Sequence, residues 1–117
     1  IGSPGMNILP AEVRDGQVVF ENNPVAVEGR VTGDSGKTEL GIRPEFVTIA
    51  DKGIAATVRK VSDVGRHSVV EAMVGDIVVK VVVENADFEQ GATVHLAFRK
   101  DQTRLYRDGW ISTEAAS

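Results

Sequence analysis

What most constrains this chain is the rhythm of its apolar residues. Val, Ile, Leu and Phe come in short runs or alternate with polar residues, and each run stops at a turn signal within a few positions. Val18-Val19-Phe20 follows Asp15-Gly16, Ile54, Ala56 and Val58 follow Asp51-Lys52-Gly53, and Ile77 to Val83 follows Gly75-Asp76. A period of two puts successive side chains on opposite faces of a strand, whereas a helix repeats its apolar residues three and four positions apart. No amphipathic stretch of useful helical length is present. About nine short strands, spaced by roughly 8 to 12 residues, imply an all-β barrel or sandwich with little helix. The 12 glycines sit mainly at the turns that this reading needs.

Composition narrows the classes. A chain of 117 residues is one domain of ordinary size, with room for a single core. The net charge of -4 and a sequence pI near 5.1 argue against a partner held mainly by its phosphates, so no nucleic acid is expected. With no cysteine there is neither a disulfide nor a thiolate metal site. No apolar run approaches the roughly 20 residues that cross a bilayer as a helix.

Taken in order, Ile8-Leu9, Val13 and Val18 to Phe20 form a hairpin around Asp15-Gly16. Asn22-Asn23-Pro24 marks the next turn, and Val25, Val27 and Val31 alternate along a third strand that runs to Gly33. Gly36-Lys37-Thr38 has the ending of a phosphate-binding loop. The full loop needs a glycine where Val31 stands and a helix directly after Thr38. Neither is present, so a solvated hairpin loop is expected, with phosphate binding as the alternative. Glu39 to Ile42 is then a strand that Pro44 stops, because proline fixes its own φ and keeps Arg43 extended. Arg43 and Glu45, two apart, would share a face there and pair with each other or with a neighbouring surface. Strands follow at Phe46 to Ile49, Ile54 to Val61, Ser68 to Val74 and Ile77 to Val83. In the last of these Val78 and Val82 make even the second face half apolar, which suggests a central strand. Asn85 to Gly91 is an acidic connection with room for one short helical turn, and strands around Leu96 and from Leu105 to Ile111 close the chain.

The residues that carry chemistry are few, and no catalytic, cofactor-binding or metal-ligating set is predicted. His67 falls in a turn and His95 on a strand, and neither has ligand spacing with Asp63 or Glu71. Glu84, Asp87 and Glu89 lack the alternating ladder of a calcium loop. Arg99, Lys100, Arg104 and Arg107, beside Tyr106 and Trp110, are the best candidate for an oligonucleotide or an anionic protein partner.

Gly41-Ile42-Arg43-Pro44-Glu45 resembles the hallmark of a known family: the C-terminal regulatory (TOBE, OB-type) domain of ATP-binding subunits of ABC importers for sugars, polyols and glycerol phosphate. Gly2 to Ala11 is similar to the passage by which the ATPase domain of such subunits hands over to the regulatory domain. Val61 to His67 and Leu105 to Trp110 resemble later segments, although Tyr106-Arg107 stands where many relatives have Phe-Asp. The resemblance implies an OB-like small barrel with a companion sheet. Residues 1–7 would be linker left from an absent ATPase domain, 8–50 companion strands, 54–112 barrel and closing strand, and 113–117 a tail. It implies a non-catalytic regulatory and dimerisation domain with no cofactor of its own, ATP and magnesium belonging to the ATPase domain of the longer subunit. Partners would be a second copy, the permease subunits through the ATPase domain, and a regulatory protein. The place would be cytoplasmic, at the inner face of the cell membrane. Arg43, Glu45, Val78 and Val82 are the expected interface residues. The alternative from the residues alone is a stand-alone OB-type barrel for a small oxyanion or single-stranded nucleic acid.

Overall fold

Two left-handed turns start the fold. β1 (Asn7–Arg14) and β2 (Gln17–Phe20) are joined by Asp15-Gly16 alone, with φ of 51° and 78°. Positive φ at both central residues is the I′ geometry, whose twist matches that of paired strands. The computed structural model describes residues 5–31, 36–85, 87–108, 110–111 and 113–114. The second turn is Glu21-Asn22, again with both φ positive (46° and 65°), and Asn23–Val25 is β3. This corrects the expected turn at Asn22-Asn23-Pro24. Pro24 can sit in a strand here because β3 lies at the edge of its sheet, where a missing N–H costs no ladder bond. The expected strand from Val25 to Gly33 is also shorter. After β3 the Glu28 N–H leaves the ladder for the Thr103 carbonyl (2.8 Å), and pairing resumes only at β4 (Arg30–Val31).

The described chain divides into two compact units, Ile1–Arg43 with Phe98–Ser117, and Pro44–Ala97. In the first, β5 (Thr38–Ile42) pairs with β1 on one side and β11 (Arg104–Arg107) on the other, and β11 pairs with β12 (Trp110–Ile111). The six-stranded order is β12-β11-β5-β1-β2-β3. Leu9, Leu40 and Leu105 stand side by side across three strands and are almost completely buried, with Phe20 and Ile42. Phe20 also meets the Phe98 ring at 6.2 Å between centroids. Thr113–Glu114, expected in a polar tail, pairs as β13 with β4, and Asn7, expected in the linker, is a buried residue of β1. Residues 1–4 and 115–117 lie outside the described residues.

The second unit is a five-stranded sheet, β6 (Val47–Ala50), β10 (Thr93–Phe98), β7 (Ile54–Asp63), β8 (Ser68–Val74) and β9 (Ile77–Val83), in that spatial order. Its edge strands β6 and β9 come into contact, which curls the sheet toward a small barrel of the OB type. Val58, Val70, Val79, Val81 and Leu96 fill its interior. β6, expected among the companion strands, belongs to this sheet. β9, expected to be central, is an edge strand. Its two-sided apolar pattern reflects inward Val79 and Val81 and outward Val78 and Val82, which lie against Met73 and Val69 of β8. Among the described residues helix is confined to 3-10 turns at Pro44–Phe46 and Lys100–Gln102, and those of the 85–91 connection form none. The all-β class and the OB-like sheet are as expected.

Candidate functional site

The segment from Gly41 to Glu45 is built from both sides of a strand end. Ile42 points into the core and is fully buried. Gly41 faces the other way, and a Cβ there would strike the Met6 methyl and the Tyr106 ring, the latter at 2.5 Å. Glycine is required because an aromatic side chain from β11 lies across the bare backbone. Arg43 leaves the strand exposed, and Pro44 opens a 3-10 turn in which Glu45 is also exposed. The expected shared face for Arg43 and Glu45 rested on an extended chain, and the turn at Pro44 removes that two-residue periodicity.

Gly36-Lys37-Thr38 is occupied by the fold. Lys37 N–H donates to the Asp108 carboxylate (3.1 Å), Asp108 N–H donates to the Lys37 carbonyl (2.8 Å), and the Thr38 hydroxyl donates to the Ala11 carbonyl (2.5 Å). Thr38 opens a strand, not a helix, so the helix N-terminus of a phosphate loop is missing. Gly33 to Ser35 lie outside the described residues.

At the basic candidate near the end of the chain, two of the arginines turn to Asp101. Arg99 is held by Asp101 at 2.7 Å, and Arg104 reaches the Asp101 carbonyl at 3.5 Å. Tyr106 is 8% exposed and cannot offer a stacking face to a base. The side chain of Trp110 lies outside the described residues. His67 is exposed in the turn that its carbonyl closes with the Val64 N–H, and His95 is half-buried on β10 opposite Ala55. Among the described residues no three His, Asp or Glu side chains come together to hold a metal ion.

Of two further features, the first extends the expected Val78 and Val82 surface and the second was not expected. The outer face of β8 and β9 carries two apolar pairs, Val69 with Val82 and Met73 with Val78, on either side of Glu71 and Lys80. Arg59 and Lys60 line a groove of about 500 Å³ with Val61, Phe88 and Gln90. The available signal was two consecutive cations where alternation calls for an inward apolar residue.

Comparison with known proteins places these strands. A family model described as the TOBE domain matches residues 40–105, and one described as the MalK OB fold domain matches residues 2–47. The sn-glycerol-3-phosphate import ATP-binding protein UgpC of Ruegeria sp. (strain TM1040) is 45% identical over 53 residues, covering 45% of this chain and 14% of the relative. An uncharacterized ABC transporter ATP-binding protein, y4oS, of Sinorhizobium fredii is 33% identical over 112 residues, 91% of this chain and 30% of the relative. The diacetylchitobiose uptake system ATP-binding protein MsiK of Streptomyces coelicolor is 28% identical over 134 residues, 91% of this chain and 35% of the relative. The chain thus spans about a third or less of the curated relatives it matches. In fold it is similar to the cytoplasmic molybdate-binding protein ModG, with a TM-score of 0.73 at 10% identity over 90% of this chain and 98% of that one. The glycine and proline of the Gly41 to Glu45 segment fall inside the first family match, the glycine at a strand position whose packing requires it. The chain belongs to the TOBE domain family.

Proposed function

We propose that this chain is the regulatory domain of the ATP-binding subunit of an ABC importer for a sugar, polyol or glycerol phosphate, and that it helps hold two such subunits together. The observation that carries this reading is the ordered pair of family matches, MalK OB fold and then TOBE, along one chain whose relatives are named as import ATP-binding proteins. The domain itself is non-catalytic, and ATP and magnesium belong to the ATPase domain of the longer subunit. Permease subunits are met through that domain, which puts the chain at the cytoplasmic face of the membrane. A regulatory protein is a further partner. A contact between two regulatory domains keeps the subunits at high effective concentration while their ATP sites open and close.

The outer face of β8 and β9 is the proposed contact, because Val78 and Val82 together with Met73 and Val69 form a small apolar patch around one charged pair. These side chains are half-buried, so the area is modest and the isolated dimer is transient. The test is analytical ultracentrifugation from micromolar to millimolar concentration on the native chain and on Val82→Lys, with folding checked by circular dichroism. Concentration-dependent association that Val82→Lys weakens is expected. A native chain that stays monomeric throughout sinks the dimer claim for this domain.

A further inference from the structure

In β7 the inward series is Ile54, Ala56 and Val58, all buried, and regular alternation would make Lys60 the next residue in the core. A β-bulge prevents this. The register against β8 shifts between Val58 and Lys60, so Arg59 is the extra residue, Lys60 stands opposite Glu71, and both cations are exposed. Bulges re-aim side chains in this way and are enriched beside functional sites. The facing wall of the groove is fixed to the same place. Gly91 N–H donates to the Val58 carbonyl at 2.8 Å and Val58 N–H to the Ala92 carbonyl at 2.9 Å, which clamps the loop before β10 onto the residue preceding the bulge. From that loop Phe88, half-buried, and Gln90, exposed, line the groove with Arg59, Lys60 and Val61, while Asp87 and Glu89 do not. Lys60, Glu71 and Lys80 form one cross-strand row, and Arg59 stands 3.9 Å from Glu71. Arg59 and Lys60, the two cations that line the groove, therefore stand beside the same carboxylate.

We infer that this groove binds a phosphate monoester of a sugar or polyol. The phosphate dianion balances the two cations of the groove, with the Arg59 guanidinium forking two oxygens and the Lys60 ammonium acting as a point charge. The C–H face of the sugar lies on the Phe88 ring, and the Gln90 amide both donates to and accepts from hydroxyls. Because the groove is open, the ligand stays partly hydrated and the affinity is on the order of 1 mM. This goes beyond the importer reading and does not rest on it, since the groove lies entirely within one unit of the chain.

The experiment is a titration of the ¹⁵N-labelled chain by NMR with glucose 6-phosphate, glucose and inorganic phosphate in parallel, at constant ionic strength, to roughly ten times the expected constant. Saturable shifts at Arg59 to Val61 and Phe88 to Gln90 are expected with glucose 6-phosphate, several-fold tighter than with phosphate, and none with glucose. Lys60→Gln should weaken binding about tenfold. Phe88→Leu, which keeps the bulk and removes the ring face, should erase the advantage over phosphate. Equal affinity for phosphate and the ester would overturn the ester assignment in favour of a bare oxyanion site. Shifts that never saturate, or that persist unchanged in Lys60→Gln, would overturn the site itself.

Discussion

Gly41 shows how a family motif can be physically explicit and still partly hidden in sequence. Its neighbours Leu40 and Ile42 announce a strand, and Pro44 announces where it ends, so the strand and its stop were readable. The reason for glycine was not, because it depends on Tyr106, which the fold brings from near the other end of the chain onto the outer face at Gly41. Gly41→Ala should destabilise the chain by about 1–3 kcal/mol, since the new Cβ overlaps a packed ring and a methyl. Urea melts measure this. The cost should shrink in a Tyr106→Leu background, because residues in contact couple and a smaller side chain relieves the overlap. An undiminished cost would mean that the strand backbone, not the ring, rejects the side chain.

At the level of elements, turns decided what was legible. Asp15-Gly16 is a preferred I′ pair and fixed its hairpin from sequence. Glu21-Asn22 is not, so the stronger turn letters of Asn22-Asn23-Pro24 drew the boundary one position too late. The register of Val18 against Val25 and Phe20 against Asn23 overrides them, because it keeps Val18, Phe20 and Val25 in the core. Glu21 accepts φ of 46° as the cost of that register. Asn tolerates the left-handed region better than Glu, so Glu21→Asn should raise stability by about 0.5 kcal/mol or somewhat more, read as a higher urea midpoint at unchanged slope. The proposed contact face and the groove were less legible for a related reason. Val78 and Val82 were noticed because they break alternation within one strand, while the bulge at Arg59 exists only relative to β8 and cannot be seen in a single segment.

For the whole molecule, topology was beyond periodicity, because the pairing of β5 with β11 joins residues on either side of an entire sheet. The resemblance supplied the OB-like architecture, and the residues supplied the strands. If the domain is non-catalytic as proposed, titrating it with ATP and magnesium should give no heat of binding tighter than millimolar. The used hydrogen bonds of Lys37 and Thr38 motivate this expectation. Saturation below millimolar ATP would reopen the phosphate-loop reading.

The chain leaves its first unit after Arg43, builds the whole of Pro44–Ala97, and only then supplies β11 to lie beside β5. That detour bears on the order of events during synthesis. The β1–β2 and β8–β9 hairpins close short loops and form early, whereas Leu40 meets Leu105 only after a long excursion is complete. While the ribosome is still making the second unit, β5 presents Leu40 and Ile42 on a strand with one edge unpaired. Such an edge is where a nascent chain joins another of its kind, so polysome density and holdase supply, more than final stability, should govern the soluble yield of this domain.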